Sequence, residues 1–155
     1  MAAVVAASTQ HVNDDDLRAI ATYLHSLPPR APVVLDTQLF NAKAIVQQGE
    51  KVYGRHCAAC HGKNGEGVAG VYPPLDGNSS VTEPTGINAT RMILLGGFAA
   101  LTAANPRPYS MPPFAQQLSD SEVSAVASYI RRTWTNQASV VRPEDVSRYR
   151  HTPID

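Results

Sequence analysis

Apolar side chains recur at helical spacing in two stretches of this chain that can be laid over one another. In the first, Leu17, Ile20, Ala21 and Leu24 make an apolar face. Asn13 can cap that helix, Asp14 to Asp16 place negative charge in its first turn, and Pro28 and Pro29 end it. In the second, Val123, Val126, Ala127 and Ile130 follow Ser119 and Glu122, which stand at capping-box spacing. At an offset of 106 residues Asp14 falls on Asp120, Leu17 on Val123, Ile20 on Val126, Ala21 on Ala127 and Tyr23 on Tyr129. The shared Ala-x-Tyr ending reads as an internal repeat whose first copy holds only its last helix. Residues 1–30 are therefore expected to be the tail of a preceding domain of the same kind, joined by a linker over 31–39.

A further helix is predicted from about Asn41 to His56, with Ile45, Gly49, Val52 and Tyr53 on one face. Glycine costs about 1 kcal/mol in a helix interior relative to alanine, so Gly49 predicts a close helix crossing. The natural partner is the helix beginning near Ser119, with Tyr129 over Gly49. Asn88 is expected to cap a short helix holding Met92, Ile93, Leu94 and Leu95, closed by Gly96 and Gly97. The stretch Asn105-Pro106-Arg107-Pro108-Tyr109-Ser110-Met111-Pro112-Pro113-Phe114 cannot be helical and presents Met111 from a stiff, extended loop.

Composition narrows the class. The 155 residues suffice for one ordinary domain with extensions. Charged residues make up 17% and the formal net charge is zero, which gives no preference for nucleic acid or anionic membrane. Twelve prolines and ten glycines predict short helices between irregular loops. No run approaches the roughly 20 apolar residues of a membrane span. Ala2 to Ala7 is apolar, yet it lacks a basic flank and is short for the core of a signal peptide.

The chemistry lies in Cys57-Ala58-Ala59-Cys60-His61. Cys-x-x-Cys-His is the attachment signature of c-type haem: two thiols add across the vinyl groups of one porphyrin edge and leave the histidine under the iron. A redox dithiol would be expected beside a βαβ pattern, and zinc would need a second ligand pair, whereas these are the only cysteines. Gly62, Gly65, Gly67 and Gly70 follow, then Val71-Tyr72-Pro73-Pro74-Leu75, a stretch suited to wrap a porphyrin edge closely. A proline carbonyl there can accept a hydrogen bond from the second ring nitrogen of His61. Met111, fifty residues past His61, is suited to be the second axial ligand, with Met92 the weaker competitor and core filling the ordinary use of methionine. His11, His25, His56 and His151 join no cluster. Haem of this type is attached after export, so a leader is expected to have been removed or to precede residue 1.

The run His56 to Gly62, Tyr72-Pro73-Pro74-Leu75 with Gly77-Asn78, and Met111-Pro112-Pro113-Phe114 together resemble class I cytochrome c domains. Leu118-Ser119-Asp120, Tyr129-Ile130-Arg131-Arg132-Thr133-Trp134 and the tail Val141 to Arg150 narrow the likeness. They are similar to the C-terminal haem domain of the three-haem cytochrome subunit of bacterial membrane-associated alcohol, gluconate and related dehydrogenases. The resemblance implies an all-α class I cytochrome c fold, short helices and loops wrapped around one covalent haem c, with an extra N-terminal helix. It implies a haem domain over 40–135, a C-terminal extension over 136–155, and 1–30 as the end of a preceding haem domain. Cys57 and Cys60 would hold the haem, His61 and Met111 would ligate iron, Pro73 would orient His61, and Leu75 would pack on the porphyrin. Met1 would stand near the place of the preceding domain's own ligand.

The implied function is one-electron transfer in a periplasmic dehydrogenase subunit at the outer face of the inner membrane, rather than catalysis. The donor would be a quinoprotein or flavoprotein dehydrogenase, and the acceptor a quinone, an oxidase or another cytochrome. The competing reading is a diffusible cytochrome c, which calls for a charged docking ring. Lys51, Arg55, Lys63, Arg91 and Arg107 are only moderately clustered, and residues 40–135 carry eight basic against six acidic side chains, so the field is weak. A haem-based sensor or peroxidase would require Met111 to leave the iron.

Overall fold

The computed structural model describes residues 2–28 and 42–151. They divide into two compact units, residues 2–28 with 98–110, and residues 42–97 with 111–151. Met1, the expected orphaned ligand, and the predicted linker over 31–39 lie outside the described residues.

In the first unit Ala2–Ala7 forms a short helix (α1) and Asp14–Ser26 a longer one (α2). The cap expected for α2 is present: the Asn13 side chain accepts a hydrogen bond from the Asp16 amide at 2.8 Å. None of its residues is buried, and the apolar Leu17, Ile20, Tyr23 and Leu24 are 40–64% exposed.

The second unit is helical around a central rod. Its elements are α3 (Ala42–His56), α4 (Ala58–His61), α5 (Ser79–Thr82), α6 (Ile87–Leu95), α7 (Asp120–Arg132) and α8 (Pro143–Arg150). The only sheet among the described residues pairs Gly97–Phe98 (β1) with Ser110–Met111 (β2), at the base of the proline-bearing loop. Helix α7 opens with the complete capping box predicted from Ser119 and Glu122. Every residue from Val123 to Arg131 is buried, because α3, α6 and α8 pack on different sides of α7. The crossing of α3 on α7 is the one foreseen. A methyl group on Gly49 would run into the Ala125 carbonyl and stand 2.6 Å from Tyr129 Cβ.

One local feature departs from expectation. Asn88 does not cap α6; Gly86 does, in the left-handed conformation (φ 74°), and Asn88 lies inside the first turn. Gly86 is forced into that role by crowding, since a side chain there would meet Val141 and the guanidinium of Arg131. The far end of α6 closes as expected, with the Gly96 amide donating to the Met92 carbonyl at 2.9 Å. Residues 136–150 pack into the second unit: Val140, Val141 and Val146 are buried, and α8 is fastened by Arg150. That guanidinium donates to Asp120 at 2.7 Å, to the Leu118 carbonyl at 2.9 Å, and to the Ala115 carbonyl.

Arg131 is the largest fully buried side chain. Its guanidinium donates to the carbonyls of Val81 (2.7 Å), Glu83 (2.8 Å) and Ser139 (3.0 Å), and more distantly to Pro84 and the Ser139 hydroxyl. Burial pulls its pKa below the ordinary range, against the opposing pull of Glu83, yet every donor direction has an oxygen. It binds the 81–84 loop and residue 139 to the central helix.

Candidate functional site

Helix α3 delivers the cysteine pair. The Cys57 amide continues the helical ladder to Tyr53 (2.9 Å), and the amides of Cys60 and His61 then both reach the Cys57 carbonyl, at 3.2 and 3.0 Å. One turn of helix therefore carries two free thiols and an imidazole, with Cys57 half-buried against the core and Cys60 exposed. Burial, and then the neighbouring Cys60, pushes the Cys57 thiol up to about 11, so it stands protonated at neutral pH. Among the described residues no group of three or more His, Cys, Asp or Glu side chains gathers as a metal site.

Gly62 ends α4 at φ 79°, a conformation glycine adopts without strain, and turns the chain back on itself. The returning loop passes under His61. The His61 carbonyl accepts from the Gly67 amide at 2.8 Å, and Val68 pairs with Tyr72 in both directions. This brings the Pro73 carbonyl to His61 Nδ1 at 3.0 Å. A carbonyl oxygen can only accept, so Nδ1 carries the proton and donates; Nε2 is the ring nitrogen left with a lone pair. Leu75, half-buried, packs on the same core cluster as Cys57 and Met111.

Two interactions fix this loop to the rest of the unit. Gly65 lies flat on the ring of Trp134, where a Cβ would come within 2.5 Å of Cζ3, and its carbonyl accepts from the amides of Leu75 (2.7 Å) and Asp76 (3.1 Å). Trp134 in turn sits edge-on to Tyr53 and Tyr129, and Tyr53 donates its hydroxyl to the Gly62 carbonyl at 2.6 Å. Beyond Trp134, which itself holds a positive φ of 60°, the Thr135 amide and hydroxyl both donate to Asp76 Oδ1, at 3.0 and 2.5 Å. These bonds hold the Asp76 carboxyl below the usual carboxylate range.

Met111 is carried on a separate segment. It sits in β2, half-buried against the core, and its backbone rests on Gly96, where a Cβ would strike the Met111 carbonyl and stand 2.8 Å from Pro113 N. The Phe114 and Ala115 amides then bond to the Ile93 and Leu94 carbonyls at 3.0 and 3.1 Å, pinning the strap to α6. Met92, the competing methionine, is exposed.

The structure thus brings His61 to Pro73 directly, and sets Cys57, Leu75 and Met111 on one core cluster. A flat apolar group with two vinyl arms suits what is present: paired thiols, an imidazole nitrogen and a thioether as donors, glycine-rich backbone after His61, and apolar Val68, Met92 and Leu95 left exposed. Sequence reasoning missed Asp76, Thr135 and Asn136, which tether the loop. The only signal for them was their neighbourhood, one after the Pro-Pro-Leu run and two after the single tryptophan.

Comparison with known proteins follows the same residues. The pattern of the cytochrome c family matches residues 46–134. The chain is 38% identical over 160 residues to the cytochrome c subunit of alcohol dehydrogenase (quinone) from Gluconobacter oxydans, an alignment covering 98% of this chain and 34% of that protein. It is 34% identical to the gluconate 2-dehydrogenase cytochrome c subunit of Pantoea cypripedii, over 97% of this chain and 36% of that one. Cytochrome c-552 of Thermus thermophilus matches at 33% over 66% of this chain and 71% of its own length. The chain spans about a third of the length of the two dehydrogenase subunits.

Proposed function

Because this chain belongs to the cytochrome c family, we propose that residues 42–151 carry one covalent haem c and pass single electrons within a dehydrogenase complex. Cys57 and Cys60 form the two thioether links, His61 ligates through Nε2, and Met111 ligates through its sulfur. When bound, the haem supplies a one-electron iron couple. The observation that carries this reading is the 3.0 Å hydrogen bond from His61 Nδ1 to the Pro73 carbonyl, which fixes the tautomer and points the free nitrogen away from the loop. Holding the ring this way raises its basicity and restricts its movement, so the ligand need not reorganise on each transfer. With His61 and Met111 both engaged, no position is left for oxygen or peroxide. The residues favour outer-sphere transfer, and methionine ligation favours a high potential.

Reading this chain as a module of a dehydrogenase cytochrome subunit is supported by the long alignments with such subunits and by α2. Its apolar face repeats that of α7 but lies exposed, as suits the last helix of a preceding haem domain. The donor is then a quinoprotein or flavoprotein dehydrogenase, the acceptor a quinone, an oxidase or another cytochrome, and the location the periplasmic face of the inner membrane. Among the described residues no helix is long and apolar enough to cross a membrane.

The test is the haem-stained polypeptide purified from source membranes. Co-purification with dehydrogenase activity, in a band larger than 155 residues with more than one haem, supports the module. A single-haem band of this size, free of dehydrogenase, would make it a diffusible carrier. Absence of covalent haem would overturn the site itself.

A further inference from the structure

Asn136 is 4% exposed and belongs to no helix or strand, yet its amide group is the most heavily bonded side chain of the loop junction. Its Nδ2 donates to the Ile130 carbonyl at 2.7 Å and to the Leu75 carbonyl at 2.9 Å, while its Oδ1 accepts from the Gly77 amide at 3.0 Å. One side chain thereby joins the C-terminal end of α7 to both sides of Asp76. It does so two residues from Pro73, through Pro74, whose ring fixes φ and transmits position stiffly along the chain. It lies two residues past the stretch, 46–134, that matches the cytochrome c family pattern.

We propose that Asn136 is a positioning residue for the axial imidazole. By clamping Leu75 and Gly77 to α7, it holds the Pro73 carbonyl at hydrogen-bonding distance from His61 Nδ1. A carbonyl acceptor there makes the imidazole a stronger electron donor, which favours the oxidised state. Releasing the clamp lets the carbonyl drift, weakens the donor and raises the midpoint potential. Asn136 acts through the loop and touches neither thiol, imidazole nor thioether.

The inference rests on the haem reading above, and the holoprotein separates the two. Covalent haem with a low-spin, six-coordinate ferric spectrum in the wild type settles that reading first; its absence sinks the reading and leaves nothing for Asn136 to position. The variants Asn136→Ala and Asn136→Asp are then compared with Ser128→Ala. Ser128 is fully buried and its hydroxyl accepts from the Val141 amide at 2.9 Å, away from the loop. All three variants lose folding stability. The expected result is that only the Asn136 pair also shows a raised midpoint potential and displaced paramagnetic shifts of the His61 ring protons. Should Asn136→Ala fail to take up haem, Asn136→Asp fills the same space, lacks the Nδ2 donors, and gives the same readout. Asn136 variants that lose stability while potential and ring shifts stay at wild-type values, or whose potential falls, would overturn the proposal and reduce Asn136 to a structural tie.

Discussion

Gly49 lies directly on the backbone of Ala125, with Tyr129 Cβ beside it, so that α3 and α7 touch main chain to main chain. The Tyr53, Tyr129 and Trp134 rings surround this contact, with centroids 5.2–5.6 Å apart. The crossing sets where α3 ends, and therefore where Cys57 begins.

Gly49→Ala is expected to destabilise the domain by about 1–3 kcal/mol, because the added methyl meets a carbonyl that cannot move without moving α7. Denaturant unfolding of the holoprotein measures it. A neutral result would mean that the helices can slide apart at no cost.

Arg131→Met removes a buried cation but leaves the carbonyls of Val81, Glu83 and Ser139 without their donor. The expected loss is about 3 kcal/mol or more, read from the unfolding midpoint. Arg131→Lys restores charge but not the planar fork that reaches both segments, and recovers little of the loss.

Asp76 gives a pH signature. Its pKa is depressed in the fold, first by the Thr135 hydroxyl and then by the Thr135 amide. The stabilisation is therefore complete above the unfolded carboxylate value of about 4 and is lost as pH falls through the lower, folded value. In acid titrations Asp76→Asn should flatten that limb of the stability curve and leave neutral-pH spectra unchanged. An unaltered acid limb would show that the Thr135 contact carries no linkage.

Met111→Leu in the loaded protein should abolish the methionine-to-iron charge-transfer band and lower the potential, whereas Met92→Leu keeps both. Visible spectra and redox titration decide between them. Loss of the band in the Met92 variant would reverse the assignment.

What was legible in the sequence had short range or a strict period. The Cys57-to-His61 run, the Ser119 capping box and the glycine at the α3 crossing each declare themselves through spacing or through the cost of a residue type. Arg131, Thr135 and Asn136 gave no such sign. Each is a polar side chain bonded across the fold, chiefly to backbone or to one carboxylate, at separations such as the 59 residues between Asp76 and Thr135. Any sequence offers backbone oxygens everywhere, so no pattern marks the ones that are used. Asn88 failed as a cap for a related reason: the packing of Arg131 and Val141, rather than local capping chemistry, placed Gly86 there.

The Pro73 acceptor lies only 12 residues from His61, while Met111 lies fifty away. Closing the longer loop costs about 1 kcal/mol more in chain entropy than closing the shorter one. Thiols, imidazole and orienting carbonyl therefore belong to one contiguous stretch, fastened to the rest of the unit through Trp134, Thr135 and Asn136. Met111 comes from a separate strap, pinned to α6 through the Phe114 and Ala115 amides. The proposed haem donors are thus divided between a local stretch and a distant strap, and only the shared core on which Cys57 and Met111 both pack relates one to the other.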